Sequence, residues 1–161
     1  MNESIPPRMT LTPTKNTHPD FIALTRALDE QLHKRYGKNQ ADYDQYNKIA
    51  PIDTALIGHV GKIPLACGCF KPLDARTIEI KRMYVRKEFR RNGFSMILLK
   101  ALEEWGARLG HRIARLETGK GQPEAIGLYT KAGYLPIENY GPYKNLPNSL
   151  CMEKRILPQD E

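Results

Sequence analysis

The strongest constraint on this chain lies between Thr77 and Gly110, where a strand-like run, a basic turn and a helical run follow one another without a break. Thr77 to Val85 opens with Ile78 and Ile80 on one face and Glu79 and Lys81 on the other, the two-residue period of a strand. Phe94, Ile97, Leu98, Ala101, Leu102, Trp105 and Leu109 then form an apolar stripe at helical spacing, with Gly110 at a C-cap position.

The flanking segments extend this pattern. Arg8 to Thr12 alternates like a strand before Pro13. Pro19 suits a first helical position, and Phe21, Leu24, Leu28 and Leu32 recur at helical spacing up to Gly37. Ala41 to Ile49 reads as a second, short helix ended by Pro51. Thr54–His59 and Ile63–Phe70 are apolar runs joined by Val60-Gly61-Lys62, which predicts an antiparallel hairpin. Ile113–Thr118 reads as a strand, Pro123 to Gly133 as a helix through Leu128 and Tyr129, and Tyr134–Ile137 and Leu150–Ile156 as two last strands. Hairpins followed by strand-helix-strand crossovers predict an α/β (α+β) fold with one mixed sheet and helices on its faces. No repeat or linker divides the 161 residues, so a single domain over 1–161 is expected, with a core of about 8–156 and frayed ends.

Composition narrows the class. With 40% hydrophobic and 27% charged residues the chain is neither disordered, fibrous nor built on disulfides. No apolar run approaches the roughly 18 residues of a membrane span, and the first residues do not read as a signal peptide, so a cytoplasmic protein without membrane attachment is expected. Cys67, Cys69 and Cys151 read as small buried side chains, and no residues at ligand spacing complete a metal site, so no metal is expected. His18, His33, His59 and His111 have no recognisable nucleophile partner and read as structural or surface residues.

The net charge of +7 is unevenly spread. Six basic residues, Lys81, Arg82, Arg86, Lys87, Arg90 and Arg91, against the single acid Glu88 give the window from Lys81 to Arg91 a charge of +5. Such a window is either a solvated face or the seat of an anionic partner. The turn within it, Arg90-Arg91-Asn92-Gly93-Phe94-Ser95, favours the second reading. Glycine lets the backbone approach a ligand closely, and the unpaired amides and dipole of a helix start attract phosphate. Neither a Walker loop nor a Gly-x-Gly-x-x-Gly loop is present.

The turn resembles the pyrophosphate-binding loop of the GNAT superfamily of N-acetyltransferases, in which Gln or Arg is followed by two variable residues, Gly, one variable residue, and Gly or Ala. Arg90, Gly93 and Ser95 fill those places, Ser95 being a departure from the usual small residue. The strand Glu79 to Val85 resembles the family's central strand, and Leu128-Tyr129-Thr130-Lys131-Ala132-Gly133-Tyr134 its last helix turning into a strand. The three segments come in the family's order within a resemblance that spans roughly Thr54 to Glu153. It implies a mostly antiparallel sheet whose two central strands splay, and acetyl-coenzyme A as cosubstrate. The pyrophosphate would lie on Arg90, Arg91, Asn92, Gly93, Phe94 and Ser95, and the pantetheine arm along Met83, Tyr84 and Val85 like an added strand. Coenzyme A carries roughly four negative charges, which suits the basic window.

Acetylation of an amine needs a neutral nucleophile, whereas an alkylammonium has a pKa near 10.4. Glu79 matches a position where the family often places a catalytic carboxylate; the other reading is a strand glutamate paired with Lys81. Tyr129 matches a tyrosine that donates to the departing sulfur; the other reading is a helix aromatic packed on the sheet. A backbone N–H near Met83 is expected to receive the oxyanion. The implied reaction is direct acetyl transfer to a primary amine of a small molecule or protein in a ternary complex, with a homodimer as the default assembly. A coenzyme-A-binding module without turnover is the competing function. A nucleic-acid binder is a third, but only Tyr84 and Phe89 interleave with the basic residues, so no nucleic-acid partner is expected.

Overall fold

The computed structural model of the chain describes residues 8–37 and 50–156. The helix expected at Ala41–Ile49 lies outside them. In chain order the elements are β1 (Thr10–Thr14), α1 (Pro19–Tyr36), β2 (Ala55–Val60), β3 (Ile63–Pro72), β4 (Thr77–Val85), α2 (Phe94–Arg108), β5 (Ile113–Gly119), α3 (Pro123–Lys131), β6 (Leu135–Ile137) and β7 (Ser149–Arg155). The seven strands form one sheet in the order β1-β2-β3-β4-β5-β7-β6, in which β4 and β5 are the parallel pair. Pro13 is accommodated inside β1, because an edge strand has one row of backbone groups with no ladder to make.

Each face of the sheet carries its own core. On one face Phe21 and Leu24 of α1 pack with Ile57, Cys67 and Cys69. On the other, Leu98, Leu99 and Leu102 of α2 and Tyr129 of α3 pack with Ile78, Ile80, Leu116 and Met152. The strand between β4 and the end of the chain is flanked by a neighbour that sequence order does not suggest: β7 returns to lie between β5 and β6.

The alternation of β4 changes phase midway. Ile78 and Ile80 face the α2 core, but so do Met83 and Val85, three and five residues beyond Ile80, while Tyr84 faces the α1 core. A bulge accounts for the shift. Cys67 pairs with Tyr84 and Cys69 with Lys81, so Gly68 stands opposite both Arg82 and Met83. Arg82 takes a left-handed backbone conformation, φ 61°, which a side chain rarely adopts without a compensating hold. That hold comes from α1, where Asp29 Oδ1 and the Thr25 carbonyl accept from its guanidinium at 2.9 and 3.1 Å.

The buried face of α2 differs from the expected stripe. Ile97 and Leu109 are exposed at 47% and 57%, whereas Leu99 and Ala107 are buried. Helix α2 is turned so that Gly106 faces Ile78, and a Cβ on Gly106 would lie 2.7 Å from the Ile78 Cδ1. Burial of Glu103 follows from the same rotation; it accepts from Tyr134 Oη at 2.8 Å and Lys154 Nζ at 2.7 Å. Leu99→Ala should therefore cost about 2–5 kcal/mol in denaturant unfolding. Ile97→Ala should cost less than about 1 kcal/mol, and equal losses would restore the original stripe.

Candidate active site

Pairing between β4 and β5 is short. Thr77 registers with Ile113, Ile78 with Ala114 and Glu79 with Arg115, and there the ladder ends. Beyond it the strands diverge, and the gap opens into a cavity of about 140 Å³. Its walls come from Ile80, Lys81, Arg82 and Met83 on β4, Glu117 to Gly119 on β5, Tyr129 on α3, and Leu28, Leu32 and Tyr36 on α1. Tyr143, from the loop between β6 and β7, closes one side.

The basic turn lies at the end of β4. A short 3-10 turn, Lys87–Phe89, leads into Arg90 and Arg91, and Gly93 precedes the first residue of α2. Gly93 has φ 76° and Arg91 φ 67°, so the chain reverses twice within three residues. The side chain of Asn92 donates to the Phe89 and Arg90 carbonyls at 3.0 and 3.4 Å, tying up oxygens. The nitrogens are left over. Among the described residues, none of the amides of Arg91, Asn92, Gly93, Phe94 and Ser95 has an acceptor. A serine or aspartate at the N-cap would have used one of them; glycine cannot. Two of the motif's arginines thus differ in role. Arg90 is committed to the protein, donating to the Val85 carbonyl at 2.8 Å and to Gln31 on α1, and lying 5.6 Å over the Tyr84 ring. Arg91 is exposed.

Glu79 is buried and engaged on both oxygens. Oε1 accepts from Lys81 Nζ at 3.1 Å and Oε2 from Tyr140 Oη at 2.6 Å, with Lys71 Nζ 3.9 Å away. Among the described residues it does not line the cavity. Burial and the Glu79 carboxylate together raise the Tyr140 phenol, keeping it protonated as a donor. Lys81 also donates to Tyr143 Oη at 3.2 Å, so the ammonium is shared between the glutamate and the loop.

Tyr129 is 7% exposed and stands on the cavity wall with its ring edge-on to Tyr134, centroids 5.8 Å apart. Burial, then the charge of Glu117, raises its pKa, and its hydroxyl has no hydrogen-bond partner among the described residues. Burial also pushes Cys69 up to about 12 and Cys151 up to about 11, so both stay thiols at neutral pH. Among the described residues no group of His, Cys, Asp or Glu is arranged to hold a metal ion. No described helix is long and apolar enough to cross a membrane.

Sequence reasoning singled out Glu79 and missed Glu117. The carboxyl of Glu117 lines the cavity and is raised mainly by burial, an effect partly offset by Ser149 and Lys81 and reinforced by Glu79. The available signal was its place in β5: Arg115 and Glu117 occupy the positions that alternate with the buried Ala114, Leu116 and Thr118.

Comparison with known proteins agrees with this geometry. The family profile described as Acetyltransferase (GNAT) family matches residues 19–134. An IAA acetyltransferase of Azospirillum brasilense is 38% identical over 152 residues, covering 93% of this chain and 99% of that protein. The crystal structure of a Klebsiella pneumoniae protein assigned as an acyl-CoA N-acyltransferase superposes with a TM-score of 0.77 at 31% identity, covering 92% and 98% of the two chains. A GNAT family acetyltransferase of Elizabethkingia anophelis, solved with acetyl-CoA bound, shares the fold with a TM-score of 0.65 at 19% identity, covering 91% and 97%.

Because Tyr129 stands on the cavity wall and its hydroxyl makes no hydrogen bond to the described residues, Tyr129→Phe should unfold at the same temperature as the wild type or higher. A loss above about 1.5 kcal/mol would mean that the hydroxyl makes a bond to the protein.

Proposed function

This chain belongs to the acetyltransferase (GNAT) family, and from that premise we propose that it carries acetyl groups from acetyl-coenzyme A to a primary amine held in the β4–β5 cleft. The observation that carries the reading is the set of unclaimed amides from Arg91 to Ser95 in the turn that follows β4 and opens α2. A diphosphate there would receive several N–H donors and the positive end of α2 at once. Ser95 leaves this cradle intact, because its contribution is a backbone amide. The pantetheine arm then follows Met83, Tyr84 and Val85 into the gap, where β4 offers backbone groups that β5 does not take.

At the inner end of the arm, the bulge turns the backbone at Met83 out of the regular β3 ladder. Its amide is the donor for the thioester oxygen as that oxygen gains charge. Tyr129 serves the sulfur. A phenol raised well above a thiol's pKa of about 8.5 gives up its proton reluctantly, so Tyr129 stabilises the departing thiolate by a hydrogen bond. Glu79, with Lys81 and Tyr140 on its two oxygens, holds the cleft lysine Lys81 in place. Leu28, Leu32, Tyr36 and Tyr143 on the walls favour an amine with an apolar body. The donor and the free thiols Cys67, Cys69 and Cys151 suit the cytoplasm.

Acetyl-coenzyme A at a hundred times its dissociation constant should stabilise the wild type by about 2.7 kcal/mol, read as a rise in melting temperature. Gly93→Pro should lose that rise, because proline is locked near φ −65° and Gly93 stands at 76°. No shift in the wild type would remove the donor assignment. Tyr129→Phe should keep the shift while thiol release in the presence of an amine panel falls about 100-fold or more; unchanged turnover would return Tyr129 to a packing role.

A further inference from the structure

Among the described residues that line the cavity, one carries a primary amine, the same functional group that an acceptor would bring: Lys81. It stands two residues before Met83 on β4, at most about 7 Å of strand from the amide assigned to the thioester oxygen. Its side chain is only 7% exposed. In its neutral form an amine so placed would compete with the acceptor for the acetyl group. The surroundings instead supply acceptors for its protons. Nζ donates to Glu79 Oε1 at 3.1 Å and to Tyr143 Oη at 3.2 Å. Glu79 is itself fixed from the far side, where Tyr140 Oη donates to Oε2 at 2.6 Å, and the rings of Tyr140 and Tyr143 meet edge-on with centroids 5.6 Å apart. The loop between β6 and β7 therefore braces both the lysine and its counter-ion. Other charged or titratable groups face this pair from Cys69 and Lys71 on β3 and Glu117 on β5.

We propose that Lys81 is a latent acetylation site of this chain, and that the clamp of Glu79, Tyr140 and Tyr143 keeps it from taking the acetyl group meant for the bound amine. The inference rests on the acetyltransferase reading above and adds a self-modification which that reading does not require. An ammonium has no lone pair with which to attack a carbonyl carbon. A buried one deprived of its counter-ion sheds a proton more readily, because burial disfavours the charged form. Once that proton has passed to solvent, the neutral Nζ attacks the thioester carbon. The C–N bond forms, the C–S bond breaks, and the electron pair leaves with sulfur. A second nitrogen proton ends on that sulfur as the thiol, and Lys81 is left as an uncharged amide. Glu79 would then be buried without its cation, and the added acetyl group would occupy part of the cavity. The clamp thus works against the chemistry that the acceptor needs: one nitrogen keeps its protons while the other must lose one.

The test incubates wild type, Glu79→Gln, Tyr143→Phe and Lys81→Met with acetyl-coenzyme A at neutral pH without any amine, and locates acetyl groups by peptide mass spectrometry. Wild type should leave Lys81 unmodified while a melting shift shows the donor bound. Removal of an adjacent opposite charge moves a protonation equilibrium by about one to three powers of ten, so Glu79→Gln should acetylate Lys81 at least about 10-fold faster than wild type. Thiol should appear in step with the adduct, and not in Lys81→Met. Excess free coenzyme A should suppress the adduct, which separates transfer within the cleft from reaction in solution at exposed lysines. Tyr143→Phe takes one acceptor from the lysine and leaves the buried carboxylate in place, so it should form the adduct more slowly, and it carries the test if Glu79→Gln does not fold. Lys81 unmodified in both variants, modified in wild type at their rate, or modified regardless of free coenzyme A overturns the proposal; thiol release by wild type with an amine would then leave the acetyltransferase reading standing. A wild type with no melting shift in acetyl-coenzyme A overturns both.

Discussion

The structure depends on the early end of the β4–β5 ladder. Three registered pairs, Thr77 to Glu79 against Ile113 to Arg115, hold the two strands at one end, and nothing replaces them farther on. A parallel pair in the middle of a sheet would ordinarily be zipped along its length, since unpaired backbone groups are costly to bury. Here the bulge at Arg82 and Met83 bends β4 away from β5, and α1 secures the bend through Arg82. Gly68 is the counterpart on β3: a Cβ there would lie 2.7 Å from the Met83 Sδ and 3.0 Å from Leu102 Cδ1. Strain at one residue, a missing side chain at another and an ion pair from a helix therefore combine to keep a cleft open.

Electrostatics then separates the cleft into two ends. Beyond the end of β4 the turn carries unclaimed amides and the exposed Arg91. At the inner end Lys81 is neutralised by Glu79, so it does not extend the positive field to the place where an ammonium must enter. Arg82 is likewise matched by Asp29. Without these pairs the same two cations that enrich the basic window would repel the acceptor. Helix α1 adds a cover to the cleft, since Tyr36 packs over Gly119 and Gly121, and Arg35 reaches Glu124 on α3 at 3.3 Å.

Much of this was legible in the chain. The helix from Pro19 to Gly37, the hairpin around Gly61 and the strand from Thr77 to Val85 follow from periodicity and turn residues, and the described elements match them. The turn with unclaimed amides before α2 was readable because glycine at 93 and the flanking arginines are local features. Three things were not. The rotation of α2 depends on Gly106 admitting Ile78, a contact across 28 residues that no periodicity encodes. Placement of β7 between β5 and β6 is a long-range pairing. Which of Glu79 and Glu117 lines the cavity needs the third dimension: both alternate with buried neighbours, and only the parting of the strands decides it. The bulge left a trace, the shift from Ile78 and Ile80 to Met83 and Val85, which two-residue alternation alone passes over.

The central claim is that a diphosphate sits on the backbone at the start of α2 and its arm runs into the gap beside β4. Backbone amide resonances of nitrogen-15-labelled protein titrated with coenzyme A examine it residue by residue. The largest downfield shifts are expected at Arg91 to Ser95, with smaller changes at Met83 and Val85. Saturating ligand that leaves those resonances in place, or moves only residues on the β1 side of the sheet, would contradict it.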